Sequence, residues 1–334
     1  MCDSLFDVIT VGNAIMDVLS HVDDAFLAAH GLHKGTMRLI DAEEADRLYE
    51  QMGPSAECPG GSAANTAVGL AGLGGRAAYV GKVADDPLGG VFARDINAAG
   101  VHFETGLLRS GPATARCLVL VTPDAQRTMN TYLGASVALG PDDVNPDLVR
   151  SALITYLEGY QWDAPKARDT MRKAAETARA AGRQVALSLS DPFCVDRHRT
   201  EFHDLMCHYI NILFANETEI MSFYQVPAFS DALQAVRTHS AMAVLTRSER
   251  GAVIATTDAV HAIDAEPVAR VIDTTGAGDL FAAGFLYGLV RNHPPALCAR
   301  IGGLCAAEII SHFGARPKRS LADLVKARLS QLRP

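Results

Sequence analysis

No run of basic residues interrupts a sequence of net charge −8, with 30 lysines and arginines against 38 aspartates and glutamates over 334 residues. Nucleic acid is bound through clustered Lys and Arg, so it is not expected as a partner. A small anionic cofactor needs only local positive potential and stays open. No stretch approaches the roughly 18 consecutive apolar residues of a membrane span, so no membrane partner is expected either. The opening Met1-Cys2-Asp3-Ser4-Leu5-Phe6-Asp7 lacks the basic n-region of a secretory signal. There is no Cys-x-x-Cys pair and no histidine cluster at metal spacing. Cys2, Cys58, Cys117, Cys194, Cys207, Cys298 and Cys305 are odd in number and scattered, which fits reduced thiols in a cytoplasmic protein, most of them small core fillers.

A P-loop is missing too. Gly81-Lys82 ends like one, but no glycine stands at the required upstream position, and Val83 replaces the Ser/Thr that would hold Mg²⁺. Gly72-Leu73-Gly74-Gly75-Arg76-Ala77 matches the spacing Gly-x-Gly-x-x-Ala. It closes a helix instead of opening one, the wrong context for a dinucleotide fingerprint. Both stretches read as turns, and any phosphate must be handled elsewhere.

What is present suits one large α/β domain spanning 1–334. Apolar residues make up 49% and charged residues 20%, enough for a real core. Short apolar runs predict buried strands at Phe6–Val11, Ala77–Val80, 152–157, Val185–Leu189, Ile210–Phe214 and Met242–Leu245. Helical stretches lie between them, at 63–73, from Asp86-Pro87 to about Ala99, and at Ala164–Ala181. This alternation predicts a mostly parallel sheet covered on both faces. Helices fill the C-terminal part at 277–291, 295–312 and 320–331. Two segments break the rhythm, about 14–40 and about 104–134. The second contains a hairpin, Arg116–Val121 and Arg127–Leu133, turning at Thr122-Pro123-Asp124-Ala125. Together they are expected to form a small appended sheet, for which an active-site lid is one use.

Asp273-Thr274-Thr275-Gly276-Ala277-Gly278-Asp279 carries the most chemistry. Glycines at a helix start aim free N–H groups and the positive dipole end at one point, an anion hole made by Gly276, Ala277 and Gly278. Asp279 lies beside it and can take a proton from a hydroxyl. Anion hole plus base is what phosphoryl transfer to an alcohol requires. A plain Gly-rich cap is the alternative, outweighed by the preceding Asp-Thr-Thr and the small-residue helix that follows. Other candidates are more evenly balanced. Pro59-Gly60-Gly61-Ser62-Ala63-Ala64-Asn65 lets a ligand approach the backbone, or is a loop starting a helix. Asn13 and Asp17 follow the first strand, where a polyol would sit, or form an Asx turn. Asn216 and Glu219 share a helical face and could organise hydrated Mg²⁺, or simply cap a helix. Arg127 could neutralise phosphate, or be an ordinary surface arginine.

Taken together these motifs resemble the ribokinase-like (PfkB) carbohydrate and nucleoside kinases along essentially the whole chain. Asp273–Asp279 is similar to the family signature Asp-Thr-x-Gly-Ala-Gly-Asp. Gly60-Gly61 through Asn65, with Gly81-Lys82-Val83 and Asp85-Asp86-Pro87-Leu88-Gly89, is similar to the other. Asn216–Glu219 resembles the family's Asn-x-x-Glu. Gly12, Asn13 and Asp17, the stretch Val121–Ala135, and Leu189-Ser190-Asp191-Pro192-Phe193 resemble its adenosine-kinase branch. The resemblance implies a three-layer α/β sandwich with a small β-sheet lid, and ATP-dependent phosphorylation of a nucleoside 5′-hydroxyl, most simply that of adenosine. Asn13, Asp17, Gly61 and Asn65 would hold the ribose. Ile15, Met37, Leu39, Met129 and Leu133 would wall the base. Arg127 would reach the phosphates, with Thr246, Ser248, Gly251 and Thr274 on the nucleotide side and Asn216 and Glu219 near Mg²⁺ through water. A monovalent cation such as K⁺ near Asp273, Thr275 and Gly314 is implied only by the resemblance, as is a monomer or homodimer. In one departure, Ser248 stands at the first glycine position of the family's Thr-x-Gly-x-x-Gly. A sugar kinase acting on ribose or fructose is the near alternative. A non-catalytic nucleoside- or sugar-binding protein is the distant one, disfavoured by the intact Asp279 motif.

Overall fold

The computed structural model describes residues 5–124 and 126–331. Cys2 and its neighbours in the opening segment, like Ala125 of the hairpin turn, lie outside the described residues. In chain order the strands are β1 (Phe6–Val11), β2 (Ile15–His21), β3 (Met37–Leu39), β4 (Ala56–Gly60), β5 (Ala77–Val80), β6 (Ala115–Val121), β7 (Arg127–Tyr132), β8 (Ala152–Glu158), β9 (Gln184–Ser188), β10 (Ile212–Asn216), β11 (Met242–Thr246), β12 (Ala252–Thr256) and β13 (Val260–Ile263).

The larger sheet runs β13-β12-β11-β10-β9-β8-β1-β5. Every pairing from β5 to β11 is parallel. Alternate residues of its strands enter opposite cores, as the period of two requires. Ile9, Val11, Val185, Leu187, Leu213 and Leu245 join one cluster with Trp162 and Phe202. Val8, Ala186, Ile212, Phe214 and Val244 join the other with Phe92 and Phe285. Helices Pro165–Ala180 and Pro192–His208 cover the first face; Ser62–Gly72, Pro87–Ala98 and Ala277–Leu289 cover the second. These are the three layers. The antiparallel pair β12–β13 closes one edge. Neither strand was assigned from sequence; β13 is exposed or half-exposed throughout and lacks an apolar run.

The smaller sheet runs β3-β7-β6-β2-β4. The hairpin expected from sequence is β6–β7, in register from Arg116↔Tyr132 to Val121↔Arg127. Strand β4 also joins it, antiparallel to β2, although Pro59-Gly60 reads as a loop in the sequence. Val18, Leu118 and Leu120 bury one face under the helices Asp24–Ala29 and Ala42–Gln51. The opposite face carries Ile15, Leu19, Cys117, Val119 and Val121, with Met129 and Phe313 packed on it. Asp17 shares this face, two residues from both Ile15 and Leu19.

Register aligns the carboxyl ends of the parallel strands. Val11 pairs with Leu157, Glu158 with Ser188, Ser188 with Phe214, and Asn216 with Thr246. Asn13, Glu158, Asp191, Asn216 and Thr246 therefore follow one edge, the place where ligands settle in parallel sheets.

Candidate active site

Helix Ala277–Leu289 starts from Gly276, which is left-handed at φ 77°. The Ala277 N–H donates to the Thr274 carbonyl at 3.2 Å, closing the turn. The N–H groups of Gly278 and Asp279 have no acceptor among the described residues, and the space beside Gly278 is open. Asp273 pins this turn from beneath. Fully buried, it accepts from the Thr275 N–H at 2.9 Å, the Thr275 hydroxyl at 2.6 Å and the Gly314 N–H at 3.0 Å.

Asp279 reaches from the first turn toward helix Ser62–Gly72. Its Oδ1 accepts from the Ser62 hydroxyl at 2.6 Å and its Oδ2 from Asn65 Nδ2 at 2.9 Å. Burial pushes its pKa up; the Ser62 and Asn65 hydrogen bonds and the charges of Arg127 and Arg316 oppose that rise. Asn65 Oδ1 in turn accepts from Arg316 Nη1, and Arg316 Nε donates to Asp95 at 3.2 Å. Arg316 Nη2 is buried with no partner among the described residues.

Asp17 and the Gly60-Gly61 turn lie side by side. A Cβ on Gly60 would stand 2.0 Å from Asp17 Oδ2, and one on Gly61 would stand 2.2 Å from the Asn13 carbonyl. Gly61 is also left-handed, at φ 88°, so both positions demand glycine. Burial raises the Asp17 pKa to about 7, with Arg316 pulling down and Asp279 pushing up. Asn13 is held from behind. Its Nδ2 donates to Glu158 at 3.0 Å, and its Oδ1 accepts from Gln161 at 3.1 Å. Glu158 also takes the Ala63 N–H at 2.8 Å, fixing the start of the helix that carries Ser62 and Asn65. Burial raises the Glu158 pKa to about 7.

Met37 and Met129 are register partners across β3 and β7. Met129 follows Arg127 by two residues, so the two share a face. Leu133, half-buried, begins the turn after β7. Arg127 makes no ion pair with a described residue, yet its charge lowers the pKa of both Asp17 and Asp279.

Asn216 and Glu219 form a reciprocal capping box, the plainer of the two sequence readings. Glu219 N–H donates to Asn216 Oδ1 at 2.8 Å, and Asn216 N–H donates to Glu219 Oε2 at 2.9 Å. Glu219 is buried, and burial lifts its pKa to about 7, with the charge of Asp191 adding to the rise. Asp191 Oδ2 is itself buried, with no hydrogen-bond partner among the described residues. An orphaned carboxylate oxygen beside a second carboxylate, with the Asn216 amide exposed nearby, is a donor set that fits a hydrated divalent cation. On the next strand, the loop after Thr246 is closed by Arg247 N–H to the Gly251 carbonyl at 2.7 Å. Ser248 is left-handed there at φ 52°, and Gly251 follows at φ 76°.

The structure thus gathers Asn13, Asp17, Gly61, Asn65, Arg127 and Asp279 between the two sheets. Asn216, Glu219, Thr246, Ser248 and Gly251 lie farther along the carboxyl edge. Sequence reasoning named Ser62 only as part of the Pro59–Asn65 segment and missed Glu158, Gln161 and Arg316. Glu158 had a signal, an acid ending an apolar strand. Arg316 had none, standing 251 residues from Asn65.

The profile described as pfkB family carbohydrate kinase matches residues 35–321. The chain is similar to the adenosine kinase of Sinorhizobium meliloti, with 48% identity, 98% of this chain and 99% of that one covered, and a TM-score of 0.95. It is as similar to a probable sugar kinase of Rhizobium etli CFN 42, with 47% identity, 99% and 100% covered, and a TM-score of 0.96. Among curated proteins, the adenosine kinase of Saccharomyces cerevisiae is 26% identical over 92% of this chain and 95% of its own.

Proposed function

Because the chain belongs to the pfkB family of carbohydrate kinases, and is thereby a phosphotransferase with an alcohol acceptor, we propose that it transfers a phosphoryl group from ATP to the 5′-hydroxyl of a nucleoside, adenosine first among them. The observation that carries the chemistry is Asp279, a partly shielded carboxylate that already accepts a hydroxyl hydrogen bond from Ser62 at 2.6 Å, next to two unclaimed backbone N–H groups. In this reading Asp279 receives the acceptor's proton as its oxygen attacks the γ-phosphorus in line. The N–H groups of Gly278 and Asp279 stabilise charge on the transferred group. Asp17 takes ribose hydroxyls, while Asn13 and Asn65 hold the cradle's shape. Arg127 draws the donor phosphates toward the cleft, and Thr246, Ser248, Gly251 and Thr274 border the donor. Mg²⁺, bound near Asn216, Glu219 and Asp191, would neutralise phosphate charge. With loose transition states, positioning and electrostatics carry most of the rate.

The choice of acceptor rests on the wall. Ile15, Leu19 and Val119, with Met129 and Phe313 packed against them, form an apolar cluster on the sheet face that also carries Asp17, which suits a base more than a free sugar. A free sugar such as ribose or fructose is the second reading, favoured by the likeness to the Rhizobium protein described as a probable sugar kinase. The smaller sheet would serve as a lid excluding water. The free cysteines among the described residues suit a cytoplasmic setting.

ADP release should be followed with ATP and adenosine, inosine, guanosine, ribose or fructose. Adenosine is expected to give the highest kcat/KM; a sugar ahead of every nucleoside defeats the nucleoside reading. Asp279→Asn should lower kcat by about 10²–10⁴-fold while adenosine binding stays within a few-fold. Near-full turnover in that variant would remove Asp279 as base.

A further inference from the structure

Arg316 comes from the segment after helix Pro295–Ile309, two residues beyond Gly314, and ends among the groups that hold Asp279. An asparagine amide can present either its oxygen or its NH₂ to a neighbour, whereas a guanidinium only donates. With Arg316 Nη1 on Asn65 Oδ1, the Asn65 NH₂ is left to face Asp279 Oδ2, as it does at 2.9 Å. Asp95, on helix Pro87–Ala98, fixes the other end of the guanidinium at 3.2 Å.

We propose that Arg316 is a positioning residue for phosphoryl transfer: by donating to Asn65 Oδ1 it locks the amide with its NH₂ toward Asp279 and so aims the carboxylate that takes the acceptor's proton. The inference rests on Asp279 as base, not on which alcohol is the acceptor.

Charge adds to geometry. Around Asp279, Arg127 on β7 and Arg316 favour the ionised form, while Asp17 on β2, Glu158 on β8 and Glu219 on helix Glu217–Tyr224 oppose it; Tyr156 on β8 faces the group as a neutral phenol. Without Arg316, Arg127 alone would face three carboxylates, and Asp279 would protonate at higher pH.

The test compares wild type with Arg316→Met and Arg316→Lys. kcat and KM are measured across pH for the best acceptor, melting temperature is recorded, and the Asp279 carboxyl is followed by ¹³C NMR, assigned with Asp279→Asn. Arg316→Met is expected to lower kcat about 10- to 100-fold and to move the acid limb and the Asp279 titration up by about one pH unit. Arg316→Lys keeps the charge and one donor, so its acid limb should stay within a few tenths of wild type while kcat falls several-fold. A folded Arg316→Met with kcat within twofold and an unmoved carboxyl titration overturns the proposal. Should Arg316→Met not fold, Arg316→Lys with wild-type kcat overturns it equally. If wild type phosphorylates no acceptor, the kinase reading fails, and the carboxyl titration still decides the role of Arg316.

Discussion

Ser248 occupies a backbone conformation that belongs to glycine. At φ 52° it lies in the left-handed region, which costs an L-residue roughly 1–2 kcal/mol. The loop needs that conformation because the Gly251 N–H bonds back to the Ser248 carbonyl at 3.0 Å. The departure from the family's glycine therefore changes the residue and keeps the turn. Ser248→Gly should relieve the strain, partly offset by the larger entropy glycine loses on folding, for a net gain of up to about 1 kcal/mol in urea unfolding. A loss of more than about 1 kcal/mol would mean that the Ser248 side chain holds the loop.

At the scale of elements, several candidate site residues gather at helix starts along one sheet edge. Asp86, Asp191 and Asn216 each cap a helix by accepting an N–H three residues on. Asn216→Ala removes the side-chain half of the box and should cost about 1 kcal/mol of stability. If Asn216 also holds hydrated Mg²⁺, the same variant raises the Mg²⁺ concentration for half-maximal activity; an unchanged Mg²⁺ dependence confines the residue to capping. The starts at Asp86 and Asn216 were legible in sequence because capping chemistry is local: Asp86-Pro87 announces its helix, and so does Asp279 after Gly276-Ala277-Gly278. The parallel strands of the larger sheet were legible too, since burial on both faces writes a continuous apolar run. Strands β2, β3, β4, β12 and β13 were not. β3, β4 and β13 are edge strands, and β4 contains Pro59 and Gly60, which usually mark loops. The same limit applies to the site. Asn65 and Asp279 stand in motifs, whereas Glu158 and Arg316 act through contacts made only when distant segments meet.

Across the whole molecule, the cleft concentrates carboxylates that burial holds toward the neutral form. Asp17, Glu158 and Glu219 are each raised to about 7, and Asp191 and Asp279 are raised as well. A carboxyl with a raised folded pKa binds its proton more tightly folded than unfolded. Its stabilising share is therefore full below the unfolded value near 4 and lost as pH rises through about 7. Asp86 and Asp163 are lowered, so their share disappears only below that window, while the lowered His203 opposes the trend within it. Five carboxyls against one histidine set the sign: without ligands, the protein should unfold at a higher temperature at pH 5.5 than at pH 8. Asp17 isolates the effect because no described residue hydrogen-bonds its carboxylate. Asp17→Asn removes the charge that is unfavourable above pH 7, and each pKa unit is worth about 1.4 kcal/mol. The variant should thus be stabilised by on the order of 1–4 kcal/mol at pH 8 and little changed near pH 4. Equal effects at both pH values would show that Asp17 does not titrate in this window. The same groups would favour a bound cation or a cationic neighbour more strongly as they ionise, which ties the protein's stability to the charge the site presents to ligands.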